Sequence, residues 1–137
     1  MIDAARFPSD IGHREALPVE IEQRYGFQTA LLLTSEYSTW TMVELPPAVY
    51  ELHVLGKHDQ PGPVILQVWA NRRPVGTLWF ARDDESWAVQ CLRLFPELWD
   101  NPDRITIELR FANDGGEQGS RDAYIAGLWI APLENHE

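Results

Sequence analysis

The stretch Ile105-Thr106-Ile107-Glu108-Leu109-Arg110-Phe111 alternates apolar and polar residues without a break. In an extended chain, a period of two puts the four apolar side chains on one face and the three polar ones on the other. A helix would scatter the same residues around its surface. The segment therefore reads as an antiparallel strand with one buried face and one wet face. Such a strand needs neighbours on its edges and a second apolar layer over its inner face.

The rest of the chain supplies both. Short apolar runs bounded by turn residues predict further strands at Asp3 to Phe7, Thr29 to Leu33, Thr39 to Leu45, Val49 to Gly56, Val64 to Ala70, Val75 to Ala81, Trp87 to Phe95 and Tyr124 to Ala131. Between them lie breakers: Pro46-Pro47, Asp59-Gln60-Pro61-Gly62, Asn71 to Pro74 and Asn101-Pro102-Asp103. Only Pro8 to Tyr25 departs from this rhythm, where Glu15 to Arg24 fits either one short helix or a long loop. Many short strands at regular spacing predict an all-β, antiparallel sandwich. With 137 residues and no repeat or linker, residues 1–137 are expected to form one domain.

Composition narrows the partners. A formal charge of −10 disfavours nucleic acid, which requires clustered Lys and Arg. No apolar run approaches the roughly 20 residues of a membrane span, and Met1-Ile2-Asp3 lacks the basic and apolar regions of a signal peptide. The chain is thus expected to be soluble, and it would also suit a module cut from a longer secreted protein. Cys91, the single cysteine, cannot pair internally and stands in the largely apolar run Trp87 to Phe95, so it is expected to be a buried structural thiol. The four histidines show no paired spacing for zinc. His53 lies in a strand and is expected to pack, whereas His58 sits in a loop beside Asp59. The acidic run Asp83-Asp84-Glu85 reads as a solvated turn.

The segment Phe111 to Asp122 stands apart. Its loop holds an Asn amide, three carboxylates (Asp114, Glu117 and Asp122) and three glycines. Hard cations such as Ca²⁺ take several oxygen ligands of these kinds. The same composition also fits a solvated hairpin loop, and the spacing is not that of an EF-hand. Among six Trp, Trp40, Trp87 and Trp99, with Tyr37, flank turns or strand ends where a ring can stack on a sugar. Trp69, Trp79 and Trp129 lie inside strands and are expected to be core or half-buried packing. The sequence contains no G-x-S-x-G, H-E-x-x-H or phosphate loop, so a non-catalytic role is expected.

The order Leu52-His53-Val54, Val68-Trp69-Ala70-Asn71, Val75-Gly76, Trp87, Phe111-Ala112-Asn113-Asp114 and Arg121-Asp122 resembles carbohydrate-binding modules of families 35, 36 and 60. The resemblance implies a galactose-binding-like jelly roll and a site at one loop edge for a polysaccharide such as xylan. It further implies a bound calcium ion, held in families 36 and 60 by loop carboxylates and carbonyls that leave room for sugar hydroxyls. Carried to this chain, Asp114 and Asp122 are the metal ligands with Glu117 as a further one, Asn113 orients the loop, and Arg121 pins a carboxylate. Trp87 and His58 complete the expected carbohydrate site. Two departures stand out. Ser120-Arg121-Asp122 displaces an acid that many relatives carry before the Arg, and Asp3-Ala4-Ala5-Arg6 lacks the second acid that family 35 uses for a structural calcium. A structural or protein-interaction sandwich without a sugar site is the alternative.

Overall fold

The computed structural model describes residues 2–3, 14–27, 29–34, 38–57, 64–80, 87–111 and 122–133. They form ten strands and one short helix: β1 (Ile2–Asp3), β2 (Arg14–Ala16), α1 (Val19–Tyr25), β3 (Thr29–Thr34), β4 (Ser38–Val43), β5 (Tyr50–Lys57), β6 (Val64–Ala70), β7 (Arg73–Phe80), β8 (Ala88–Leu94), β9 (Ile105–Phe111) and β10 (Asp122–Pro132). Two antiparallel sheets result. One has the order β2-β3-β10-β5-β8, with β1 also paired to β10, and the other the order β4-β9-β6-β7. This is a jelly-roll sandwich, as the sequence predicts.

Alternation explains which side chains meet. Leu52 and Val54 of β5 face inward with Leu94, Ile125 and Leu128, opposite Leu66, Val68, Leu78, Ile105, Ile107 and Leu109 of the other sheet. All of these are essentially inaccessible to water. A bulge in β10, where the register against β5 shifts between Ile125 and Gly127, lets Ile125 and Leu128 both point inward although they stand an odd number of positions, three, apart.

The six-strand sheet carries a second apolar layer on its outer face. Leu17, Phe27 and Ala30 close over Leu55 and Ala126, with Ile21, Tyr25, Trp87, Val89, Tyr124 and Trp129 around them. The helix α1 belongs to this layer, and it realises one of the two options left open for Glu15 to Arg24. It stops at Gly26, whose φ of 82° is left-handed and whose amide bonds the Glu22 carbonyl at 2.8 Å.

The β6–β7 hairpin turns in two residues, Asn71 and Arg72, both left-handed at φ 50° and 69°. Such a turn matches the twist of the strands it joins. Asn71 also ties the hairpin down: its amide donates to the Leu98 carbonyl at 2.8 Å and its side-chain oxygen accepts from Thr106 N–H at 3.0 Å. Because the turn is this tight, β7 begins at Arg73, two residues before the position the breaker pattern predicts. At the same end of the sandwich, Trp99 donates to the Leu45 carbonyl at 2.9 Å and Tyr50 to the Pro46 carbonyl at 2.7 Å. Trp99 is therefore a packing residue against Tyr50, with ring centroids 5.6 Å apart.

Candidate functional site

Strand order gathers four connections at one end. In one sheet, Asp122 pairs with Thr34, Tyr124 with Lys57, and Gly56 with Ala88. In the other, Ser38 pairs with Arg110, Leu66 with Phe111, and Val64 with Phe80. The ends of β3, β5, β7 and β9 and the starts of β4, β6, β8 and β10 thus border one rim. At this rim β3 is followed in sequence by β4, β5 by β6, β7 by β8 and β9 by β10, and the two strands of each pair belong to different sheets. Residues 44–49, 71–72 and 95–104 make the opposite end.

Of the residues proposed for sugar or calcium from the sequence, Trp87 and Asp122 are described at this rim, whereas Trp99 lies at the opposite end and Trp40 on the outer face of the four-strand sheet. His58, Asn113, Asp114, Glu117 and Arg121 lie outside the described residues, as do Tyr37 and Asp83-Asp84-Glu85. Asp122 is the first residue of β10, and its backbone pairs with Thr34. Trp87 is described in full. It stands half-buried just before β8, at the margin of the outer apolar layer, and its buried indole nitrogen has no hydrogen-bond partner among the described residues.

Lys57, the last residue of β5, opens the segment Lys57 to Pro61 that the sequence sets near the sugar site, but its contacts there are not legible in the sequence. Its ammonium lies 5.3 Å from the centroid of Trp87 and 5.3 Å from that of Tyr124. A cation set against two ring faces is held by their quadrupoles and still has N–H groups to offer a hydroxyl or carboxylate. Tyr124 faces Lys57 directly across the β5–β10 pair, so the cluster follows from register, which spacing along the sequence does not reveal.

The outer face of the four-strand sheet carries three more indoles. Trp40 and Trp69 flank Glu108 in one cross-strand row, and Trp79 stands on the edge strand β7. Trp79 is 52% exposed, which corrects its assignment to packing: it occupies an outward position, where no layer covers it. Trp40 is exposed as well, with Met42 beside it on β4. Trp69 is half-buried under the Arg110 guanidinium, 4.6 Å from its centroid. Arg110 is paired with Glu108, and that hydrogen bond raises its pKa further. A depression of about 440 Å³ between Trp40, Asn71, Arg72, Asp100, Thr106 and Glu108 opens on this side.

Among the described residues, Glu51, His53 and Cys91 form a group whose donor atoms lie within 4.8 Å of one another. Cys91 is exposed, against the expectation of a buried thiol. Only alternate residues of β8 face inward, Leu92 and Leu94 among them, which leaves Cys91 on the outer face. Desolvation, and then the negative charge of Glu51, push its thiol above the ordinary pKa. A sulfur and an imidazole are poor ligands for calcium, which takes oxygen. Among the described residues no helix is long and apolar enough to cross a membrane.

No protein-family model and no curated protein sequence matches the chain. Solved structures do match in fold. A carbohydrate-binding module of family 36 in complex with calcium and xylotriose superposes with a TM-score of 0.66 at 15% identity, over 94% of this chain and 97% of that one. A family 35 module from an environmental isolate gives a TM-score of 0.67 at 12% identity, over 98% of both chains. A family 6 module of Clostridium stercorarium in complex with cellobiose gives 0.66 at 13% identity, over 96% of this chain and 92% of that one. The galactose-binding-like sandwich expected from the sequence is thereby shown.

Proposed function

We propose that the chain is a non-catalytic carbohydrate-binding module that takes a polysaccharide, of the xylan class, at the rim bordered by residues 58–63, 81–86 and 112–121. The observation that carries this reading is convergence. The end of β9 and the start of β10, which flank the segment carrying Asp114 and Glu117, border the same rim as Lys57, Trp87 and Tyr124. A calcium ion held by Asp114, Asp122 and Glu117 would supply positive charge for sugar hydroxyls. The donor set fits that ion, since it is oxygen alone, in a segment flanked by β9, which pairs with β6, and β10, which pairs with β3. Asn113 and Arg121 would order the loop, and Trp87 and His58 would border the sugar. The fold is also that of solved modules whose bound ligands are xylotriose with calcium and cellobiose. On this reading residues 1–137 are one domain, working as part of a longer secreted protein.

The test is isothermal titration of Ca²⁺ into chelator-treated protein, then of xylotriose with and without Ca²⁺, for the parent chain and for Asp114→Ala and Asp122→Ala. Saturable calcium binding lost in both variants, together with xylotriose binding that chelator abolishes, is the expected result. Xylotriose binding that survives chelator and both substitutions would remove calcium from the mechanism. Absence of binding to xylotriose and to cellobiose would remove the sugar site.

A second reading, a protein-interaction sandwich, is favoured by the uncovered Trp40, Met42 and Trp79 on the outer face of the four-strand sheet. Light scattering across a concentration series, repeated with Trp79→Ser, separates the two, because only the interaction reading ties self-association to that face.

A further inference from the structure

The group Glu51, His53 and Cys91 lies outside the proposed glycan rim, on the outer face of the six-strand sheet. His53 is four residues, about 13 Å, along β5 from Lys57. Glu51 and His53 alternate on β5 and so share one face, and Cys91 is the register partner of His53 on β8. The Cys91 sulfur is 3.1 Å from His53 Nδ1, and a Glu51 carboxylate oxygen is 3.0 Å from Nε2.

From this geometry we infer that Glu51, His53 and Cys91 form a binding site for a thiophilic divalent transition metal of the Zn²⁺ class, with one coordination position open to solvent.

Three features support it. The first is where the donors stand. An imidazole that holds two partners in line with its two nitrogens keeps them far apart. Here the sulfur and a Glu51 carboxylate oxygen are within 4.8 Å of each other, although the sulfur contacts Nδ1 and the carboxylate contacts Nε2, so a metal on Nδ1 beside the sulfur needs Glu51 to swing toward it. Tetrahedral zinc, with Zn–S about 2.3 Å and Zn–N about 2.0 Å, sets those atoms about 3.5 Å apart, close to the 3.1 Å seen without metal. Glu51 closes the remaining gap by a side-chain rotation, and it is only half-buried.

The second is that the central ligand is already oriented. Trp129, the register partner of His53 on its other side, stacks on the imidazole at 5.0 Å and 5° between planes. That indole is backed in turn by Tyr25 at 6.3 Å and Phe27 at 6.1 Å. A ring held in place loses little freedom when it takes a metal.

The third is access: Cys91 is exposed at the edge strand, so an ion reaches the sulfur from solvent. Arg93, opposite Glu51, is the positive neighbour that the ion must tolerate. One thiolate, one imidazole and one carboxylate suit zinc, or cobalt as its probe, and not calcium or magnesium. On binding, the thiol loses its proton to solvent and the sulfur lone pair goes to the metal; no electron is transferred.

The experiment is titration of Co²⁺, then Zn²⁺, into reduced, chelator-treated protein. Expected are a thiolate-to-cobalt charge-transfer band that saturates at one ion per chain, and its loss when Zn²⁺ is added. An excess of Ca²⁺ should leave it unchanged, which separates this site from the oxygen donors of the rim. Cys91→Ser should abolish the band, and His53→Ala should weaken binding at least tenfold. In the unmodified chain, Zn²⁺ should also slow alkylation of Cys91 at least tenfold, a readout that needs no variant to fold. The inference is overturned by absence of the band at millimolar Co²⁺. It is equally overturned by ion binding that Cys91→Ser leaves intact, or by alkylation that Zn²⁺ does not slow.

Discussion

Removing the Asn71 side chain tests how the β6–β7 hairpin is fixed to the sandwich. Asn71→Ala deletes two hydrogen bonds, at 2.8 and 3.0 Å, and leaves a half-buried carbonyl of Leu98 and amide of Thr106 without those partners. Each such loss costs about 1 kcal/mol net. Alanine at the left-handed φ of 50° adds a further cost of about 1 kcal/mol, which asparagine largely avoids. The expected destabilisation is therefore about 3 kcal/mol. Asn71→Gly loses the same bonds and tolerates the backbone, so it should lose about 2 kcal/mol. With an unfolding entropy of about 2.1 cal/mol/K per residue, a chain of 137 residues should lose roughly 10 °C in Tm for the alanine variant. Guanidinium unfolding followed by Trp fluorescence measures both variants, and an unchanged slope keeps the comparison valid. If Asn71→Ala stays within about 0.5 kcal/mol of the parent, the hydrogen-bond argument is wrong. If glycine costs as much as alanine, the left-handed assignment fails. Xylotriose and cobalt binding should be untouched in both, since the hairpin is at the end of the sandwich opposite the rim.

Three further outcomes are expected. Leu128→Ala, at a site with 0% exposure, should cost about 3 kcal/mol through lost burial and a cavity, read as a lower denaturation midpoint. Gly76→Ala places a Cβ 3.1 Å from Leu92 Cδ2; the leucine must give way, and the same assay should report a loss of about 1 kcal/mol. In chelator-treated protein the Cys91 thiol is held above its ordinary pKa, first by desolvation and then by Glu51. The folded chain thus keeps a proton that the unfolded chain releases, so this stabilisation is present below the ordinary thiol pKa and fades as pH rises through the folded value. Iodoacetamide labelling at pH 8, followed by mass, should be slower than for the unfolded chain and should speed up in Glu51→Gln; equal rates would show that the fold does not hold the proton.

Strand pattern was the legible part of this fold. Val64 to Ala70 and Ile105 to Phe111 have the bounds their alternation and flanking breakers predict. The β2 strand was not read, because three residues carry no periodic signal. Cys91 and Trp79 were placed inside because an apolar run does not say which alternate residues face the core. Residues that meet across strands were harder still. Lys57 with Tyr124, and His53 with Cys91, are neighbours through register between segments far apart in sequence. For the candidate glycan site, composition and the resemblance point to 112–121, and the strand order explains why Lys57 and Trp87 border the rim at which β9 ends and β10 begins.

The position of β10 has a consequence for how the chain is made. Asp122–Pro132 lies between β3 and β5 in its sheet, yet among the described strands of the sandwich it comes last in chain order. Until it leaves the ribosome, β3 and β5 each present an open edge, and the sheet cannot close. A nascent chain that stalls before residue 122 would expose two templates for intermolecular pairing, with the loss of solubility that open edges bring. Such long-range pairing also makes folding slow relative to local structures. Expression of this protein should therefore depend on completing its C-terminal strand more than on any single core contact, and a C-terminal truncation that removes β10 should partition into aggregates.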